Sequence, residues 1–136
     1  MTLIWTGNIE DLTRANTTFR TVVRVGEHSE LTLMSIEPGG EIGLEVHPNI
    51  DQFLRIESGQ AQIKAGPAKD DLRETHDVKE DWAFIVPAGT WHNVINTGDE
   101  PLKLYTVYAP PNHAPGTVHD TKEDADAAER AEHART

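Results

Sequence analysis

The sequence contains no cysteine, which excludes a disulfide framework, a thiolate metal site and a cysteine nucleophile. It also contains no run of about 18 apolar residues, the minimum for a membrane-spanning helix. The first residues lack the basic segment and long apolar stretch of a secretory signal. We therefore expect a soluble protein of the cytoplasm with no membrane partner.

Basic residues are scarce, since 12 Lys and Arg stand against 23 Asp and Glu and the formal net charge is -11. This imbalance disfavours nucleic acid and anionic membrane surfaces as partners, because both repel an acidic chain. The 136 residues suffice for one domain and show no repeat with a period of about 20 to 50 residues. One compact domain without a repeat array is expected.

Short strand-like segments alternate with turn clusters, a rhythm typical of an all-β barrel or sandwich. The predicted strands cover residues 18–25, 31–36, 52–56, 60–65, 74–78, 83–86, 91–95 and 102–108. The one helical pattern runs from about residue 122 to 131, and Thr121 and Asp124 stand at its start in a capping-box-like order. Because it lacks an apolar face, we expect a β domain over residues 1–119 and a solvated, acidic, Ala-rich helix or tail over residues 120–136.

Two separate blocks supply candidate metal ligands. In the first block Glu45 and His47 are two residues apart, so they share one face of a strand. Turn-forming residues 48–51 then reverse the chain, and the next strand starts near Gln52, which is expected to face inward. In the second block a β-branched run and a Pro and Gly turn precede His92. The pattern predicts that all four side chains meet on the inner wall of a barrel.

These blocks resemble the paired signatures of the cupin superfamily. The first signature is a glycine, five residues, His-x-His, four residues, Glu, six residues and Gly, and the second is Pro-x-Gly-x-x-His-x-x-x-Asn. The first block keeps this spacing from Gly39 to Gly59, and the second matches at Pro87, Gly89, His92 and Asn96. The resemblance covers residues 39–96 and implies a small single-domain cupin, a double-stranded β-helix or jelly-roll barrel.

Three positions depart from the family's usual pattern. Glu45 stands where the first His is usual, and Gln52 stands where Glu is usual. Because an amide oxygen is a weaker donor than a carboxylate, Gln52 either binds a metal loosely or hydrogen-bonds a metal-bound water or substrate oxygen. Asp81 lies upstream of Pro87, at a position where the family usually has a glycine. The change is mild because Asp tolerates turn conformations. The resemblance still implies one divalent first-row ion, Mn, Fe, Ni or Zn, on a ligand set with one negative charge: Glu45, His47, Gln52 and His92.

Other side chains are candidates for chemistry or substrate contact. Glu41 shares the predicted strand face of Glu45 and is a candidate general base. The candidates for substrate contact are Trp91, Tyr108, His113 and His119. Both of these histidines follow the last strand, where the chain either folds over the barrel mouth or forms a plain loop. We expect the remaining histidines at the surface: His28, His76 and His133. Arg20 and Arg24 share a strand face, where they either meet an anion or carry ordinary surface charge, and we expect the latter.

Three functions follow from the resemblance. A metal held by Gln, His, Glu and His is similar to the zinc set of phosphomannose isomerases with Gln and Glu exchanged, which implies a sugar isomerase or epimerase using the ion as a Lewis acid. Two imidazoles and one carboxylate also match the triad of iron(II) dioxygenases of small organic substrates. The third function is a non-catalytic, metal-dependent barrel that binds a carbohydrate or carboxylate. A small molecule is the partner in each case, and we expect a homodimer because exposed sheet edges need cover.

Overall fold

The computed structural model describes residues 3–135, with side chains described over residues 3–132. The outer ends of the two predicted domain ranges and the expected surface position of the His133 side chain lie outside the described residues. The elements in chain order are α1 (Ile9–Ala15), β1 (Arg20–Val25), β2 (Glu30–Ile36), β3 (Asp51–Ser58), β4 (Gln60–Gly66), β5 (Glu74–Lys79), β6 (Ala83–Val86), β7 (Trp91–Asn96), β8 (Leu102–Ala109), β9 (Val118–His119) and α2 (Lys122–Arg135).

The strands form two antiparallel sheets that enclose one core. Six strands pair in the order β6-β3-β8-β2-β1-β9, and three pair in the order β5-β4-β7. The all-β jelly-roll prediction is confirmed, and each predicted strand is present with ends shifted by at most two residues. Neither described helix is long and apolar enough to pass through a lipid bilayer.

The helix α1 and the short strand β9 were not predicted. Asn8 caps α1 by accepting a hydrogen bond from the Asp11 backbone N–H at 3.1 Å. The buried residue of this seven-residue helix is Thr13, whose hydroxyl donates to the Ile9 carbonyl oxygen. A helix this short that buries a threonine shows no apolar stripe, so its pattern gave no signal.

The C-terminal helix begins as predicted, with the Thr121 hydroxyl accepting a hydrogen bond from the Asp124 N–H at 3.0 Å. Most of the described side chains of α2 are exposed, as expected for a solvated helix. Ala125 differs, because it is buried and packs in the hydrophobic core. The expectation that this helix adds nothing to the core is therefore wrong at one position.

The first ligand block is not one continuous strand. Glu41 and Glu45 form isolated antiparallel bridges with Ile95 and His92 of β7, and Gly43 between them has a φ of 111°. This left-handed backbone favours glycine and interrupts the alternation of side chains. The segment thus extends the smaller sheet while turning Glu41 and Glu45 to different surroundings.

The inner face of the six-stranded sheet is apolar at one end and polar at the other. The apolar end is formed by Met34, Ile36, Ile56, Leu102 and Leu104, all of them buried. Moving along the strands, the paired rows change to polar side chains, which are also buried: Glu30, Thr32, Gln52, Thr106 and Tyr108. Because buried polar groups need partners, this end of the barrel is where a site is expected.

Candidate metal centre

Glu45, His47 and His92 converge at the polar end of the barrel. One ligand atom from each lies within 4.8 Å of the other two. Glu45 Oε1 is 3.2 Å from His47 Nε2 and 3.5 Å from His92 Nε2. Ligands that each lie about 2.1 Å from a small divalent ion are about 3 to 3.5 Å apart, so these separations suit coordination of a single cation.

Backbone pairing between the two blocks brings the ligands together. Glu45 and His92 exchange N–H···O bonds of 3.0 and 2.9 Å, which places their side chains directly opposite each other. The Gly89 N–H donates to the His47 carbonyl oxygen at 2.9 Å. Gly89 has a φ of 80°, so the turn before His92 uses the conformation that glycine adopts without strain. Asp51 is exposed and accepts a hydrogen bond from the Ala88 N–H.

The His92 imidazole is held in the tautomer that a metal ligand requires. It is buried, and its Nδ1 lies 2.9 Å from the Thr90 carbonyl oxygen. A carbonyl oxygen only accepts, so Nδ1 carries the proton and Nε2 carries a lone pair. Among the described residues, Nε2 has no hydrogen-bond partner. A buried lone pair that faces a carboxylate oxygen is satisfied by a cation between them.

Glu45 supplies the negative charge of the cluster. Burial raises the pKa of this carboxyl, but the neighbouring imidazoles, with His47 first, outweigh burial and lower the pKa to about 2. The carboxylate therefore stays ionised across the neutral range. An ionised oxygen beside two imidazole nitrogens is a ligand set for a divalent transition metal.

Gln52 presents a second buried acceptor at the same end. It is 1% exposed, and its Nε2 donates to the Thr106 hydroxyl at 3.1 Å. This bond leaves the Gln52 Oε1 without a partner in the described part of the chain. Gln52 pairs with Tyr108 across β3 and β8, and the Tyr108 ring lies edge-on to His47 with ring centroids 5.8 Å apart. The amide oxygen is thus available either to a metal or to a water or substrate oxygen.

Two other predicted site residues lie elsewhere. Glu41 is exposed, so its expected inward orientation beside Glu45 is wrong, because Gly43 breaks the alternation between them. Trp91 directly precedes His92 in β7 and therefore lies on the opposite face of that sheet. This position does not fit the expected substrate contact of Trp91. Asp81 adopts a φ of 73°, which explains why a glycine is usual at this position.

His113 is fixed by a buried carboxylate that sequence reasoning missed. The Glu30 side chain is fully buried and accepts hydrogen bonds from the His113 Nδ1 at 2.9 Å and from the His113 N–H at 2.6 Å. The Asn112 N–H and the Thr32 hydroxyl also donate to it. Burial raises the pKa of Glu30, but these hydrogen bonds, led by His113, lower it to about 2. The only sequence signal for Glu30 is its inward register with Thr32 and Met34.

The segment after β8 therefore packs on the site instead of forming a plain loop. The His113 ring lies edge-on to the Tyr108 ring with centroids 5.4 Å apart, and Tyr108 contacts His47 in turn. Tyr108 is buried, and burial together with the negative charge of Glu45 raises the pKa of its hydroxyl. The phenol stays protonated and can donate a hydrogen bond near the cluster.

Arg20 also departs from its expected surface position. It is 9% exposed and heads β1, where it pairs with Met34 of β2 and with His119 of β9. Its Nη1 lies 3.1 Å from the His119 Nδ1. Since a guanidinium only donates, the His119 Nδ1 accepts this bond. His76, His28 and Arg24 are exposed as predicted.

A barrel of two antiparallel sheets with an imidazole and carboxylate cluster at its polar end defines a cupin. The Cupin_2 model, described as a cupin domain, matches residues 32–108, and the chain belongs to this family. It is 60% identical over 122 residues to YrkC of Bacillus subtilis (strain 168), covering 90% of this chain and 66% of YrkC. The chain therefore spans about two thirds of the length of that relative.

Solved structures agree with this assignment. The crystal structure of BH2720 from Bacillus halodurans matches with a TM-score of 0.90 and 52% identity, covering 90% of this chain and 93% of that one. A more distant structure, an oxalate decarboxylase of Bacillus subtilis with Mn(II) centres, matches with a TM-score of 0.58 and 28% identity over 65% of this chain and 23% of that one. The small single-domain cupin expected from the motifs is confirmed.

Proposed function

We propose that the protein is a metal-dependent enzyme of the sugar isomerase or epimerase type. One divalent first-row ion, Mn, Fe, Ni or Zn, is held by Glu45, His47, His92 and Gln52. The observation that carries this proposal is that the His92 Nε2 and the Gln52 Oε1 are buried acceptors without a partner among the described residues. A cation satisfies both acceptors, and the Mn(II) centres of the related oxalate decarboxylase support a metal of this group.

When bound, such an ion supplies Lewis-acid polarisation of a substrate carbonyl or hydroxyl oxygen. Isomerisation also needs a group that moves a proton between neighbouring carbons. Since Glu41 is exposed, His113 is the proposed base. Its Nδ1 proton is donated to Glu30, so its Nε2 has the lone pair that accepts a proton. The ionised Glu30 stabilises the resulting imidazolium, and Tyr108 beside it donates a hydrogen bond to substrate.

A second candidate function is an iron(II) dioxygenase of small organic substrates. The specific observation in its favour is that Glu45, His47 and His92 alone form a group of two imidazoles and one carboxylate within 4.8 Å. This composition is that of the facial triad in non-haem iron oxygenases. In this function Gln52 hydrogen-bonds a substrate oxygen and is not a ligand. A barrel that binds a carbohydrate or carboxylate without turnover is the third candidate.

Metal content and proton exchange together distinguish these functions. Protein purified without added metal is analysed for Mn, Fe, Ni and Zn and then incubated in D2O with a panel of aldoses, ketoses and sugar acids. The isomerase predicts deuterium at a substrate carbon, lost in His113→Gln with metal content unchanged. Iron with substrate-dependent oxygen uptake supports the dioxygenase, and saturable binding without either reaction supports the non-catalytic barrel. Protein that takes up none of these ions from a medium rich in them contradicts all three.

We also propose that two chains pair as a homodimer. Ile85, on the edge strand β6, is 66% exposed, and its neighbour Phe53 on β3 is half-buried. An edge strand with an exposed apolar side chain gains stability when a second copy covers it. Sedimentation velocity at micromolar concentration is expected to give a dimer, and a monomer throughout that range contradicts the proposal.

A further inference from the structure

Arg20 is a buried cation with no carboxylate of the described residues within ion-pair distance. The residue is 9% exposed, and within the described part of the chain it forms no ion pair and its Nε has no hydrogen-bond partner. Its one side-chain hydrogen bond there is to the neutral acceptor His119 Nδ1. The chain carries 23 Asp and Glu residues, so carboxylates are abundant, yet none of the described ones pairs with Arg20. An uncompensated buried charge is costly, which indicates that an external anion completes the arrangement.

Two side chains near Arg20, His119 and Tyr108, can donate hydrogen bonds. Because the His119 Nδ1 accepts from Arg20, its Nε2 carries the proton of the neutral imidazole. Burial, followed by the positive charges of Arg20 and His113, lowers the pKa of His119, so this neutral form persists in the neutral range. The Tyr108 hydroxyl is a phenol O–H that can donate, and it lies near the Arg20 guanidinium, whose positive charge acts on it. A guanidinium, an imidazole N–H and a phenol O–H form a set that matches a carboxylate.

The side chain of Tyr108 links this donor set to the candidate metal centre. Tyr108 connects the two, because its hydroxyl approaches Arg20 while its ring contacts His47 at a centroid distance of 5.8 Å. A substrate that spans both places needs a carboxylate at one end and a hydroxyl or carbonyl oxygen a short carbon chain away. Neutral sugars lack the first group, and simple fatty acids lack the second.

We propose that Arg20, His119 and Tyr108 form a subsite for the carboxylate of a hydroxy or oxo acid, such as a sugar acid, whose oxygen function reaches the Glu45, His47 and His92 cluster. The proposal rests on the proposed function for the role of the second oxygen, but the carboxylate subsite itself is independent of the metal. The proposed subsite implies an anionic substrate, which the overall charge of -11 does not suggest.

Matched pairs of probes test the subsite. Binding of gluconate is compared with sorbitol, and lactate with 1,2-propanediol, because each pair differs by a carboxylate against a neutral alcohol. The measurement is the shift in melting temperature over a concentration series, made on metal-loaded and on chelator-treated protein. At least one carboxylate is expected to bind about tenfold or more tightly than its neutral counterpart, because hydrogen bonds to charged groups are the stronger ones.

Arg20→Gln is expected to remove this preference about tenfold or more while leaving metal content unchanged. Arg24→Gln is the matched control, because Arg24 lies in the same strand and is exposed. If Arg20→Gln does not fold, His119→Asn and Arg20→Lys replace it, with loss of the preference expected in the first and partial retention in the second. Carboxylates that bind no better than neutral partners, or equally in wild type and the folded variants, overturn the subsite. A chain that takes up no metal but keeps the carboxylate preference overturns only the proposed function.

Discussion

Glu45 and His92 form a backbone-paired bridge in which Glu45 Oε1 and His92 Nε2 lie 3.5 Å apart. Backbone hydrogen bonds hold the two residues opposite each other, so the main chain sets the separation of their side chains. The Thr90 carbonyl oxygen then directs the lone pair of His92 at the carboxylate. A cation between them removes an otherwise unfavourable contact.

The four proposed ligands are expected to contribute unequally. His92→Ala should abolish metal retention, because it removes a buried imidazole donor that is already in the ligating tautomer. Gln52→Ala should weaken affinity by about 10- to 100-fold, because an amide oxygen is a weaker ligand. Metal content after gel filtration measures both, with the exposed His76→Ala as control. Equal metal loss in the His92 and Gln52 variants contradicts the ranking.

Replacing Gly89 in the turn before His92 is expected to weaken metal affinity as well as to lower the free energy of unfolding. Gly89 and Gly39 have φ values of 80° and 77°, and an added Cβ meets nothing within 4 Å at either position. Gly89→Ala and Gly39→Ala should each lower the free energy of unfolding by about 1 to 2 kcal/mol, from the left-handed backbone alone. Only Gly89→Ala should also weaken metal affinity, because the Gly89 N–H holds the His47 carbonyl oxygen.

Urea titration of the metal-free proteins and metal titration of the folded ones separate these two effects. If Gly39→Ala weakens metal binding as much as Gly89→Ala does, the turn has no special role in positioning the ligands.

Glu30 is expected to make stability depend on pH in the acid range. Its pKa is about 2 when folded against a model value of 4.5, so the folded state binds the proton less readily than the unfolded state. The stabilisation is therefore complete above about pH 5 and is lost as pH falls through 4.5 towards 2. The size is about 3 kcal/mol, since each pKa unit is worth about 1.4 kcal/mol.

The comparison that isolates Glu30 is wild type against Glu30→Gln, each unfolded in urea at pH 6 and at pH 3. Both proteins keep every other titratable group, so the difference between them reports the Glu30 carboxylate and its pairing with His113. The gap in unfolding free energy should shrink towards pH 3. A gap that is unchanged between these two values would show that Glu30 does not titrate as described.

Much of the site was predictable because cupin spacing and strand alternation act on short stretches of chain. Glu45, His47 and His92 meet as the two signatures indicate, and Gln52 faces inward from β3 as its period of two requires. Glu41 does not face inward beside Glu45 because Gly43, with a φ of 111°, interrupts the alternation of side chains between them, and a count of residues does not report a φ angle.

The side-chain pairs that sequence reasoning missed depend on long-range packing. Glu30 and His113 are 83 positions apart, and Arg20 and His119 are 99 positions apart. In its local sequence, each of these four residues resembles an ordinary surface or loop residue. Their burial follows only once β2 pairs with β8 and β1 pairs with β9, which no local pattern specifies.

The most direct test is a crystal structure of the protein grown with excess MnCl2 and measured at a wavelength that gives anomalous scattering from manganese. The expected result is one anomalous peak within about 2.0 to 2.3 Å of Glu45 Oε1, His47 Nε2 and His92 Nε2, with the Gln52 Oε1 at or just beyond that range. Absence of such a peak, with the three ligand atoms separated by more than the 4.8 Å found here, would contradict the account.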